Sequence, residues 1–336
     1  MRKTYAAIFC LFLSMIAIVA TPTIVEAHVK WFTEETPEKE SIFHLMSPLF
    51  MSLAIFISLL LAALTQVLPA LTNLKFLQKI DSKLDHLRKY SIIILKYGMA
   101  AAMLIQVLSG SRFVPEFEIQ TQTETLLIWS SILLLLIPHH LATKAGALVI
   151  LWLLVDLTID VGLFHMLDYG FYLAIVGVLL LERTRLQKWG FPFLYLGTGL
   201  SLCWVAVEKW VYPTMALDII KQHGVPTFGF APETFIVMAA FIEFVVGYLL
   251  VVGILNRLLS FVLTGIFVST TMLFGMTELV GHFMIHIILI IFIVEGVSFY
   301  HPPIAIHKSK LNQMVFVSLN FIFVLATIML LYYRFA

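Results

Sequence analysis

Charge is scarce in this chain. Lys and Arg number 21 and Asp and Glu 20 in 336 residues, only 12% of the total. A soluble domain carries roughly 25% charged residues. With 61% of the chain apolar, a soluble enzyme is excluded, because a water-facing fold cannot hide that much hydrocarbon. Disorder, collagen and coiled coil fall by the same composition. A net charge of +1 gives nucleic acid nothing to bind. Cysteine is nearly absent. There are two, Cys10 and Cys203. The first falls in a candidate signal, so an internal disulfide or a CxxC redox pair is excluded and Cys203 reads as a small packing residue. A Gly-rich phosphate loop, a nucleophile elbow and a zinc-protease helix are all missing. No segment between the apolar runs is long enough to fold as a catalytic domain. Any chemistry must lie among membrane helices or at their outer ends.

What is present is a series of apolar runs. Arg2 and Lys3, the apolar stretch Ala6 to Ala20, and Val25-Glu26-Ala27 have the form of a signal peptide over residues 1–27. Residues 28–46 then form an external segment. Ten spans follow, at about 47–68, 91–110, 125–141, 146–164, 168–182, 193–212, 233–254, 258–276, 279–298 and 312–333. The third and fifth are short. Lys75, Lys79, Lys83, Arg88 and Lys89 lie in the first loop of a basic set that continues with Lys144, Arg183, Arg185, Lys188, Arg257, Lys308 and Lys310. The alternate loops are richer in acids, among them Glu116, Glu118 and Glu124. By the positive-inside rule the basic loops are cytoplasmic and both mature termini are outside. The expectation is an all-α, multi-pass protein of the cell membrane, with lipid as its surroundings.

Two stretches resemble each other. Glu124-Thr125-Leu126 matches Glu233-Thr234-Phe235 at an offset of 109, and Leu163-Phe164-His165-Met166 matches Leu273-Phe274-Gly275-Met276 at 110. This predicts two tandem four-helix units in one orientation, 90–183 and 192–299, flanked by residues 47–89 and a last span at 312–333. In the second unit Glu208-Lys209-Trp210, Glu243 with Gly247 and Gly253, Asn256-Arg257, and Gly281-His282 stand in the order found in one family of small four-helix membrane proteins. The unit resembles the DoxX family. The first unit lacks the Glu-Lys-Trp triplet and has Leu134 where Glu243 would fall, so it is at most a diverged copy. The family includes a subunit of a thiosulfate:quinone oxidoreductase. The resemblance therefore implies a fold, and beyond it a place near membrane redox or quinone chemistry.

Ionisable groups inside spans are costly and mark sites or helix contacts. Glu278, His282 and His286 recur every four residues and share one helix stripe. Together they could bind a metal, carry protons or fix packing. Asp156 and Asp160 make a second such pair, which would repel unless a cation sits between them. His165 and Asp168 follow at the same end. Glu243 lies near mid-span, where a Lys or His from another helix is its expected partner. Glu208, Lys209 and Arg257 read as structural polar groups. His28, freed at the amine by signal cleavage, would add a chelating terminus suited to copper.

The reading that unites these features is a multi-pass protein with an outward-facing His/acidic site, in quinone-linked redox or metal handling. Asp156, Asp160, Glu243, Glu278 and His282 are its candidate proton or substrate groups. His28, Glu278, His282 and His286 are its candidate ligands for copper or another transition metal. A membrane redox partner would complete it. A proton- or ion-coupled transporter and a non-catalytic assembly subunit are the rival readings. N-terminal sequencing of the mature protein is expected to begin at His28-Val29-Lys30; a chain that starts at Met1 removes the signal and the chelating terminus together.

Overall fold

The computed structural model describes residues 31–33, 35–72, 75–296 and 309–336. The expected signal peptide and His28 lie outside these residues. In hydrocarbon every backbone N–H and C=O must be paired within the chain, and helices do this segment by segment. The apolar runs are accordingly helical: α1 (Pro48–Thr72), α2 (Lys75–Asp85), α3 (Ser91–Leu108), α4 (Gln122–Leu136), α5 (His140–Val161), α6 (Gly170–Leu181), α7 (Gly190–Val211), α8 (Pro213–His223), α9 (Pro232–Val252), α10 (Asn256–Phe274), α11 (Met276–Glu295) and α12 (Lys310–Phe335). Among the described residues nine helical stretches are long and apolar enough to cross a bilayer, and α4 is shorter. The chain is a multi-pass helical membrane protein.

Three features differ from the sequence expectation. The first basic loop is largely helical, as α2. Between α3 and α4 the chain forms a small antiparallel hairpin, β1 (Ser111–Arg112) and β2 (Val114–Glu118). The fifth run is broken near its start: a single turn Leu163–Met166 and a 3₁₀ turn Leu167–Tyr169 precede α6.

The helices close into a ring in which α3, α4, α5, α6, α7 and α9 pack in succession and α10, α11 and α3 complete it. The last helix of each four-helix stretch lies on the first helix of the other, α6 on α7 and α11 on α3. A hairpin of α1 and α12 packs outside this ring against α7 and α9, tied by Tyr248 Oη donating to Asn320 Oδ1 at 2.7 Å. The tightest crossing is α7 on α9. Gly199 and Gly247 face each other there, and a Cβ built on Gly247 would sit 2.6 Å from the Gly199 carbonyl oxygen. Small residues let two helix backbones approach this closely in a membrane, where dispersion replaces the hydrophobic drive. Cys203, buried at the same crossing with its Sγ 3.5 Å from the Phe244 carbonyl, is the packing residue the sequence suggested.

One joint in the ring is loose. Helices α9 and α10 are consecutive but barely touch, and α10 leans on α11 alone. Ile242, Val262 and Ile266 on the two facing helices remain exposed.

Both bundle ends are laced by polar groups. At the hairpin end Lys39 Nζ donates to the carbonyls of Tyr333 (2.6 Å) and Ala336 (3.2 Å). At the opposite end Lys96 Nζ donates to Ile137 O at 2.6 Å, at the C-terminus of α4. Arg257 donates to Ile293 O (2.7 Å) and Val294 O (3.2 Å) at the C-terminus of α11 and pairs with Asp81. A cation at the last carbonyls of a helix satisfies them and opposes the helix dipole. Gly247→Val is expected to cost about 3 kcal/mol in detergent unfolding, since backbone must yield to the added carbons. Gly265→Val on α10, where an added Cβ meets nothing within 4 Å, should change stability by less than about 0.5 kcal/mol.

Candidate functional site

The loose joint opens onto a cavity of about 1080 Å³ between α7, α9, α10 and α11. Its walls are mostly apolar, with Val205, Ile236, Ala239 and Ile285 among them. One ion pair and one carboxylate–imidazole contact interrupt the hydrocarbon. Lys209, near the end of α7, reaches down to Glu243 in the middle of α9 and pairs with it. The lysine stem spans the depth difference while the ammonium finds its carboxylate. On α11, Glu278 and His282 lie one turn apart, with Glu278 Oε1 3.2 Å from His282 Nδ1. Both are buried, and both line the cavity. Thr270 on α10 also hydrogen-bonds Glu278. Asp168, Tyr169, Thr198, Ser201 and Ser269 are further polar residues of the lining.

The chain N-terminal to α1 closes the hairpin end of this cavity. Trp31 is buried, at 2% exposure. Its ring lies 5.4 Å from the His282 ring, and Phe267 lies 4.6 Å from the same imidazole. Trp31 rests on Gly281, where any Cβ would overlap the indole. Its Nε1 donates to Tyr169 Oη at 3.3 Å. Phe32 stacks on Phe274 at 4.4 Å, and Thr33 Oγ1 donates to Asp218 Oδ2 on α8 at 2.7 Å. The segment expected to be merely external therefore contributes a wall of the site.

The structure divides the expected site residues into separate groups. Glu243, Glu278 and His282 line the cavity, and Lys209 is the partner that the mid-span position of Glu243 called for. His286, one turn beyond His282, packs edge-on to Phe267 and does not line the cavity. Asp156 and Asp160 lie elsewhere. Arg112 on β1 bridges them, with Nη1 3.2 Å from Asp156 Oδ2 and Nη2 3.0 Å from Asp160 Oδ2. Glu124, 3.6 Å from the same guanidinium, completes the group. Two near acids thus coexist because a cation holds them apart. They do not join Glu278 and His282, as the sequence reading had them do. Glu208 is buried and hydrogen-bonds Tyr332.

Among the described residues no three His, Cys, Asp or Glu side chains converge closely enough to hold a metal ion. Glu278 and His282 supply two donors where a stable transition-metal site needs three or four. The further expected ligand, His28, lies outside the described residues.

Arg112, Trp31 and Tyr169 were missed by sequence reasoning. Arg112 alone left a trace, as the one Lys or Arg between Lys96 and Lys144 in a stretch that holds three glutamates. Trp31 and Tyr169 carry no pattern that separates them from other aromatic residues in a chain this apolar.

The DoxX family model matches residues 196–276. This part of the chain is DoxX-like. The match runs from within α7 to the first residue of α11 and includes Glu208-Lys209-Trp210, Glu243 and Asn256-Arg257. Gly281-His282 and the whole 90–183 stretch lie beyond it. No curated protein and no solved structure matches the chain.

The Lys209–Glu243 pair makes a direct prediction. Removing one partner from a pair at membrane depth leaves an unanswered charge, at a cost of about 3 kcal/mol. Lys209→Met and Glu243→Leu should each lose roughly that much in detergent unfolding, while the double variant loses less than either single. Additive losses would show that the pair is not coupled.

Proposed function

We propose that this multi-pass membrane protein binds a quinone in the cavity between α7, α9, α10 and α11, as the lipid-facing component of a membrane redox system. The observation that carries the reading is the cavity itself, which is apolar, has the Lys209–Glu243 pair and the Glu278–His282 contact on its walls, and stands beside a joint between α9 and α10 lined by exposed Ile242, Val262 and Ile266. A site that opens to lipid and holds a few placed polar groups suits a hydrophobic molecule with a polar head. A quinone head offers two carbonyl oxygens, and Lys209 and His282 are hydrogen-bond donors on the cavity wall. Glu243 and Glu278 contact those donors and fix their direction. Phe267 and Trp31 supply flat apolar surface beside the imidazole.

Within this reading the chain's own residues bind and orient the head group. Trp31 and Phe32 exclude water from one end, and the α9–α10 joint admits the molecule from the bilayer. When bound, a quinone supplies two-electron, two-proton chemistry. The electrons would come from a membrane redox partner. The resemblance of residues 196–276 to a family that includes a quinone-linked subunit supports the same class of ligand. The two four-helix stretches would be tandem units, of which the second carries the ligand.

Organic extracts of protein purified in mild detergent are expected to contain quinone. Ile242→Trp, which fills the joint, and His282→Ala, which removes a donor, should weaken binding of a short-chain ubiquinone analogue at least about tenfold by calorimetry. Wild-type protein that neither carries quinone nor binds the analogue would rule the proposal out.

A further inference from the structure

We propose that His165, Glu116 and Tyr169 form a proton path from the hairpin-end surface into the cavity. It goes beyond the quinone reading and holds whatever the cavity takes. Three short elements bring the residues together: the turn Leu163–Met166 carries His165, β2 carries Glu116, and the 3₁₀ turn Leu167–Tyr169 carries Tyr169. His165 Nε2 lies 2.6 Å from Glu116 Oε1, a charge-assisted distance. Tyr169 interacts with the Glu116 carboxyl and lines the cavity.

Donor chemistry fixes the direction of these bonds. The indole of Trp31 can only donate, and it donates to Tyr169 Oη at 3.3 Å. The phenol proton is therefore left to point at Glu116. The carboxylate is then an acceptor from both sides, from His165 and from Tyr169. Exposure falls along the same line. The His165 side chain is 31% exposed, that of Glu116 14%, and Tyr169 is buried. A bond made only to hold the hairpin down has no need of a titratable group at the surface beside a residue that lines a cavity.

The transfer balances as a relay. A proton taken up by His165 passes to Glu116. With Glu116 protonated, the phenol turns its proton toward the cavity, accepts the carboxyl proton at Oη, and releases its own to an acceptor there. One proton enters, one leaves, and no electron moves. The charged groups that face Tyr169 are Glu116 from the hairpin and Asp168 from its own turn. The rings of Phe117 and Tyr169 flank His165 and supply no competing charge. Both bundle orientation and path agree, since charge asymmetry assigns the hairpin end to the outside.

The test is deuterium exchange at tyrosine hydroxyls, read by infrared spectroscopy on protein in lipid nanodiscs after a jump into D₂O. Tyr169→Phe and Tyr172→Phe assign the two bands. Tyr172 is the internal reference: it is buried near the same end and donates to the Phe113 carbonyl at 2.6 Å, with no carboxylate in its path. In the wild-type protein Tyr169 should exchange at least about tenfold faster than Tyr172. In Glu116→Gln, which keeps the shape and an acceptor but cannot take up and release a proton, Tyr169 exchange should slow by about tenfold; His165→Gln should act in the same direction. A merely structural lock predicts the opposite, unchanged or faster exchange in both variants, and that result overturns the path. Equal rates for Tyr169 and Tyr172 in the wild type overturn it without recourse to any variant.

Discussion

A charge placed within hydrocarbon must be answered by another group, and the answers come from neighbouring elements rather than from water. That constraint organises the molecule. Lys209 answers Glu243 across the α7–α9 crossing, and Arg112 answers two acids of α5 from the hairpin. Arg257 answers the last carbonyls of α11 and also Asp81 on α2. Each pair fixes the depth of one helix against another, which apolar packing alone does poorly because lipid is as apolar as leucine. The scarcity of charge is therefore a scarcity of registry points, and each point carries structural weight.

The helices were legible from the sequence because apolar length and loop charge are one-dimensional signals. Spans near 91–110, 146–164 and 233–254 fall on α3, α5 and α9 with small shifts at their ends. Pairings were partly legible. Glu243 at mid-span demanded a cation, and Lys209 on a neighbouring helix meets the demand. Asp156 and Asp160 demanded one too, but Arg112 belongs to a hairpin whose shape has no periodic signature at two and five residues. The site was legible only as a stripe. The spacing of Glu278, His282 and His286 puts them on one face, yet a face nine residues long can border two environments. His282 meets the cavity, whereas His286 meets Phe267. No spacing rule distinguishes these outcomes, since they depend on where α10 lies.

The position of α10 follows from unequal packing on its two sides. Toward α11 it has a full helix contact; toward α9 it has almost none. On α9 the opposite face is already committed to α7, where Gly199 and Gly247 bring the backbones together. Pulling α9 tightly onto α7 draws it away from α10, and the short connection from Val252 to Asn256 holds only one end of the gap closed. The cavity is thus a consequence of the tight crossing beside it. The same glycines that stabilise the bundle create the space that a ligand would need.

Trp31 makes that space selective rather than merely empty. Without a bulky group over Gly281, the hairpin end of the cavity would stand open to water, and Glu278 and His282 would be solvated. With the indole seated there, the pair is buried and its electrostatic strength rises as the local dielectric falls. A sealed cavity then needs a defined way to exchange protons with its surroundings. Tyr169 sits at the seam between the seal and the hairpin, bonded to Trp31 on one side and facing Glu116 on the other. The seal and the proton path therefore share one hydroxyl, so a shift of Trp31 would alter water exclusion and proton access together.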